Sequence, residues 1–142
     1  MKRSGPLKRT TPLKKTRMKR KRRRGDDVEL ILAYLQLHSN CSVCHANWKS
    51  PLEVHHIVGA AGRKDVVQNL LTLCRGCHEE YHRGQRLTPG MLLTAKRESD
   101  PENFDESVIC ELLGRKCLPE RWVPVPLPAW VYQERERNLN GR

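Results

Sequence analysis

Two cysteine pairs, Cys41-Ser-Val-Cys44 and Cys74-Arg-Gly-Cys77, constrain this chain more than any other feature. Two residues between thiols let both sulfurs of a pair reach one ion, and two such turns complete a tetrahedral zinc shell. The 29 residues between the pairs, 45–73, must therefore leave one point and return to it. Gly76 gives the second turn the backbone freedom such a knuckle uses. Four free buried thiols that happen to share this spacing are the weaker reading. A structural metal also suits the composition, because 37% of the 142 residues are hydrophobic and there is one Phe, thin material for a core. Cys110 and Cys117 have no partner at metal spacing and read as small hydrophobes or surface thiols. With the shell complete, His38 and His45 read as structural or solvent-facing.

Charge is distributed as unevenly as cysteine. Residues 1–24 hold 13 of the 27 Lys and Arg and no acid, so the rest of the chain carries 14 bases against all 16 acids, a net of −2. The near-repeat "PLKRTT" and "PLKKT" places proline every sixth residue, which forbids a regular helix, and the charge density opposes collapse. Residues 1–25 are expected to be a disordered basic arm. An arm of this kind displaces counterions from phosphates and binds nucleic acid without regard to sequence, with the cluster Arg20, Lys21, Arg22, Arg23 and Arg24 at its root. A solubilising or targeting tag is the alternative. No run approaches 18 apolar residues, so no membrane span is expected, and no apolar stretch follows the charged N-terminus as in a secretory signal. These features point to a reducing cytosol, where cysteines serve as metal ligands before disulfides.

Hydrophobic spacing places the scaffold. Asp26 or Asp27 caps a helix within 26–40 whose apolar stripe is Val28, Ile31, Leu32 and Leu35, widened by Leu30, Ala33 and Leu37. Residues 88–117 read as a helical extension: Thr88-Pro89 starts one helix, Asp105 caps another, and Gly114 ends it. Residues 118–142 read as a Pro/Trp-rich strap that packs Trp122 and Trp130 onto the domain, followed by a polar, frayed tail. A proline-rich ligand for another protein is the alternative for the strap.

Four of the six histidines fall between Leu52 and His82. In "CHEEYHRG", His78 and His82 are four apart, which on a helix puts both imidazoles on one face. His55 and His56 are adjacent in "EVHHIV", which reads as a strand, and neighbours on a strand point to opposite faces unless a bulge or strand end intervenes. A pH-sensitive surface pair and an ion-free helix face are the bland alternatives.

Taken together over Cys41 to Gly84, the run C-x2-C, VHHIV, NLLTLC-x2-CH-x3-H resembles the HNH endonuclease family in its zinc-knuckle form. The resemblance implies an α+β fold in which 41–87 form a small ββα-metal (HNH, or His-Me finger) domain. A four-cysteine zinc knuckle, flanking helices and the basic arm complete it. It implies His56 as general base, with His55 and His78 as ligands of a catalytic divalent ion. "CHEEYHRG" is also similar to the helix of the colicin-type nucleases, which makes His82 a third candidate ligand. Asn69 falls at the family's middle position, whose side chain ties down the loop between the strands and so orients the base. The family often has Asp where this chain has His55, and the substitution weakens the preference for magnesium.

The chemistry agrees with that transfer. Phosphodiester hydrolysis needs an activated water and a cation to absorb charge on the scissile phosphate. Three neutral imidazoles leave positions open on an ion and suit zinc, nickel or manganese better than magnesium. In the loop "GAAGRKDVVQ", Gly59 and Gly62 allow a tight path and Arg63 and Lys64 are candidate phosphate contacts, unless Asp65 pairs with one of them. Glu53 and Glu79 are candidate outer partners for imidazole N–H groups. The reading is a DNA endonuclease carrying structural zinc and a catalytic Mn, Ni, Mg or Zn ion. It holds DNA mostly by phosphate contacts, in the cytoplasm of a bacterium or a phage-infected cell. A non-catalytic zinc module for nucleic acid or protein is the main alternative, and a nuclease for branched or RNA-containing substrates a third. No base-reading helix stands out.

Overall fold

Asp27 opens the first helix by capping it: its carboxylate accepts the Leu30 N–H at 3.1 Å, and α1 runs Val28–Leu37. A computed structural model describes residues 27–47, 51–84 and 86–141, so the basic arm at 1–25, with Arg20 to Arg24, lies outside the described residues. The stripe expected on α1 is rotated. Tyr34 is its buried residue, flanked by half-buried Leu30, Ile31 and Leu35, while Val28 and Leu32 are 61% and 53% exposed. A polar anchor sets the rotation. The Tyr34 hydroxyl lies 2.9 Å from the Leu70 carbonyl and 3.0 Å from Asp100 Oδ2, and it accepts from Lys96 Nζ at 2.9 Å.

Lys96 is fully buried yet fully occupied, since it also donates to Asp100 Oδ2 at 2.5 Å and to the Val67 carbonyl at 2.8 Å. A buried ammonium is tolerated only with such a complete set of acceptors. Burial by itself would raise the Asp100 carboxyl, but Lys96, Asn103 and Tyr34 outweigh it and hold the group below the usual carboxylate range. The network ties α1 to the chain just before the second strand.

That sheet has two strands, β1 (Leu52–His56) and β2 (Leu70–Cys74), antiparallel with Leu52 opposite Cys74 and His56 opposite Leu70. Every residue of β2 is buried, whereas β1 buries only His55. The chain passes without a gap from β2 into α2 (Arg75–Arg83), with Cys74 as the N-cap and Gly84, at φ +67, closing the helix in the left-handed conformation that glycine favours. Thr88 caps α3 (Pro89–Ser99) with proline in its first turn, and Asp105 caps α4 (Glu106–Leu112). The Pro-rich strap crosses the start of α3 at Gly90, where a Cβ would come within 2.2 Å of the Val123 carbonyl. Trp122 and Trp130 pack half-buried against the core.

The tail is not frayed. Residues Ala129–Asn140 form α5, whose Val131, Glu134, Arg135 and Asn138 fall at helical spacing on its inward side. Arg135 Nε donates to the Val43 carbonyl at 2.7 Å, Arg135 also pairs with Glu98 at 2.9 Å, and Asn138 donates to the Cys44 carbonyl at 2.9 Å. Polar side chains thus dock a helix that has little apolar surface of its own.

Candidate active site

The knuckle forms where the end of β2 meets the turn after α1. Cys41, Cys44, Cys74 and Cys77 are all buried, with their ligand atoms within 4.8 Å of one another. Tetrahedral zinc with Zn–S bonds of about 2.3 Å sets sulfurs roughly 3.8 Å apart, and Cys44 and Cys74 Sγ stand 3.7 Å apart. The Cys77 N–H points at Cys74 Sγ, so the first turn of α2 donates into the shell. His45 is not a ligand in this cluster. It takes a positive φ of 60° to close the turn, its N–H donating to the Cys41 carbonyl. Four thiols packed so closely, with chain carbonyls held from outside by Arg135 and Asn138, fit a structural zinc ion.

One residue further along α2 the chemistry changes. His78 and His82 lie one turn apart on the helix, and His55 reaches them from β1, so that three imidazoles offer nitrogens within 4.8 Å of one another. An ion with metal–nitrogen bonds of about 2.0–2.1 Å holds adjacent nitrogens roughly 2.9–3.4 Å apart. His78 Nε2 lies 3.2 Å from His55 Nδ1 and 2.8 Å from His82 Nε2. On its other side His78 Nδ1 donates to Glu53 Oε2 at 2.5 Å, which fixes the tautomer with the Nε2 lone pair toward the cluster. Burial first, and then the neighbouring histidines, push the His55 pKa down to about 3, so its ring is neutral and able to ligate. The donor set fits a divalent cation. The cleft beside it holds about 670 Å³ and is lined by Glu53, Arg75, His78, Glu79, His82 and Arg83.

His56 is not part of this cluster. As strand alternation requires, it turns away from His55, and its Nε2 lies 2.5 Å from Asp65 Oδ1. Asp65, for which the sequence left a pairing with Arg63 or Lys64 open, bonds His56 and also accepts the Asp27 N–H at 2.7 Å, while the nearby Arg63 charge helps to hold its carboxyl down. Arg63 and Lys64 are both exposed on the loop. Glu79 likewise differs from expectation: it takes Arg75 at 3.1 Å and Arg83 at 3.6 Å, and of the two glutamates Glu53 is the one bonded to an imidazole.

Asn69 is fully buried between the strands. Its Oδ1 accepts the Val58 N–H at 2.7 Å, and its Nδ2 donates to the Val58 and Lys64 carbonyls, both at 3.1 Å. One side chain therefore ties the residues that follow His56 to the residue that precedes Asp65. Gly62 pins the middle of the same loop, since a Cβ there would come within 2.2 Å of the Leu112 carbonyl of α4. Sequence reasoning missed Arg75 and Arg83 as cleft residues. Their signal was their position within one turn of the histidines on the same helix.

Comparison with known proteins returns one family. Residues 39–84 match the model of the HNH endonuclease family. No curated protein and no solved structure matches. The match begins two residues before Cys41 and ends at the glycine that closes α2, so it covers both ligand clusters, both strands and the helix they share. The chain therefore carries a domain of the HNH endonuclease family, a small ββα-metal fold with its four-cysteine cluster at residues 41, 44, 74 and 77.

Proposed function

We propose that this protein is a metal-dependent endonuclease that hydrolyses DNA phosphodiester bonds, with zinc in the cysteine shell as structure. The observation that carries the reading is the convergence of His55, His78 and His82 at the edge of an open cleft, beside a histidine that does not join them. A divalent ion there would take up charge developing on the scissile phosphate. Imidazole donors suit manganese, nickel or zinc better than magnesium.

The chain's own residues supply the rest. His56 takes the proton from the attacking water. Glu53 holds His78 by its Nδ1–H, and Asn69 holds the loop that carries the base's partner. Arg63 and Lys64 on the loop meet backbone phosphates, as do Arg75 and Arg83 at the cleft. The arm's Arg20, Lys21, Arg22, Arg23 and Arg24 add sequence-blind contacts with the duplex. Among the described residues no helix is long and apolar enough to cross a membrane, and the working compartment of the reading is the cytoplasm of a bacterium or a phage-infected cell.

The test is plasmid cleavage by the purified zinc-loaded protein with manganese, nickel or magnesium added, beside His56→Ala. Nicking by the parent and its loss in the variant are expected. DNA binding without cleavage under every metal would instead favour a non-catalytic zinc module.

A further inference from the structure

We propose that Asp65 is the positioning residue of His56, fixing the imidazole so that Nε2 carries the proton and Nδ1 faces the water. This inference rests on the reading of His56 as general base. Its basis is a chain of two hydrogen bonds: Asp27 N–H donates to Asp65 Oδ2 at 2.7 Å, and His56 Nε2 lies 2.5 Å from Asp65 Oδ1. A carboxylate can only accept, so Nε2 is the donor. The second nitrogen, Nδ1, is left with its lone pair. The Asp27 N–H first, and the His56 hydrogen bond second, hold the Asp65 carboxyl below the usual carboxylate range, which keeps it an acceptor.

The arrangement is built rather than incidental. Residues 58 and 64 are joined through Asn69, Gly62 is seated against Leu112, and Asp27 is held because its own carboxylate caps α1. Each end of the pair is thereby fixed by a different element. A surface ion pair between long side chains would have none of these constraints. The loop alone would position only Asp65; the capped start of α1 decides which of its oxygens is left for His56.

That division of the two oxygens yields a specific consequence for Asp65→Asn. The amide oxygen must take the place of Oδ2 to keep the Asp27 N–H satisfied, so the amide NH2 faces His56 Nε2. The ring must then accept there and carry its proton on Nδ1, the wrong nitrogen for the task. Shape and hydrogen-bond count are nearly unchanged, so a merely structural role for Asp65 predicts little effect.

The experiment uses the full zinc-loaded chain with 15N-labelled histidine, at a pH above the imidazole range, together with plasmid-nicking kinetics in manganese. Three results are expected. His56 Nε2 is protonated in the parent. The proton moves to Nδ1 in Asp65→Asn. That variant loses about a hundredfold or more in kcat while KM, zinc content and melting temperature stay at parental values. Asp65→Ala, which offers no wrong-way donor, should show a mixture of tautomers and a smaller loss. An unprotonated Nε2 in the parent, or full kcat in Asp65→Asn, would overturn the assignment. A parent that does not nick DNA sinks the nuclease reading alone, because the nitrogen spectra still decide whether Asp65 fixes the His56 ring.

Discussion

The cysteine cluster and the histidine cluster share α2, and adjacent residues of that helix, Cys77 and His78, belong to different clusters. Every cysteine of the cluster is buried, and the shell uses four ligands of one kind with amides and side chains sealing it from outside. The histidines grade from buried His55 to exposed His82 and open onto a cleft. A saturated shell has no position for substrate, whereas a three-imidazole shell has room for one. The difference teaches that the first cluster aims the helix and the second uses the aim: the turn at Cys74 and Cys77 fixes the start of α2, and with it where His78 and His82 point.

The sharpest way to break this comparison is Cys77→Ser. Apparent zinc-binding free energies of about 10–16 kcal/mol are folding free energy in small metal domains, so the variant should lose the cooperative melting transition as well as zinc. Retained melting with only activity lost would make the two clusters alike. Next in size, His56→Ala should leave both metal sites and DNA affinity intact while slowing cleavage by about 10² to 10⁴-fold. Added manganese should not restore it, whereas His78→Ala, which removes a ligand, should be partly rescued. The reverse pattern in a manganese titration of cleavage rate would exchange the roles.

A smaller effect sharpens the contrast. Glu53→Gln weakens the acceptor that holds His78 Nδ1–H and should loosen the histidine site by about 10 to 100-fold in metal affinity. Zinc content and melting temperature should not move, and calorimetric titration with manganese or nickel reads the difference. The smallest effect on either cluster should come from deleting residues 1–24, which hold 13 of the 27 basic residues. Melting and single-turnover cleavage of saturated DNA should be unchanged. The log-log salt dependence of binding should fall by about 0.9 for each phosphate that the arm neutralises in the full chain; an unchanged slope would relocate DNA binding to the domain.

Local chemistry was readable from the sequence and distant partners were not. The C-x2-C spacing, the four-residue step from His78 to His82, the caps at Asp27, Thr88 and Asp105 and the φ of Gly114 are all fixed within a few residues, and the structure has them. The rotation of α1 escaped because it depends on a Tyr34 hydroxyl whose partners, Leu70 and Asp100, lie 36 and 66 residues away. The bond from Asp65 to His56 escaped for the same reason. The neighbours of Asp65 in sequence are cations, but the loop path set by Asn69 turns it to His56. α5 escaped because its inward face is polar past Val131, and hydrophobic spacing does not register a helix docked through carbonyls 92 and 94 residues earlier in the chain.

Those long spans bear on how the molecule is made. The carbonyls of Val43 and Cys44 receive their donors from Arg135 and Asn138, so the knuckle turn waits, its outer side open to water, until residues 135 to 138 have left the ribosome. Zinc can be captured as soon as Cys77 emerges, but the seal over it is added last. A zinc ion taken up in that interval would sit in a shell whose outer carbonyls still lack their donors, and competing thiols would reach it more readily than in the finished fold.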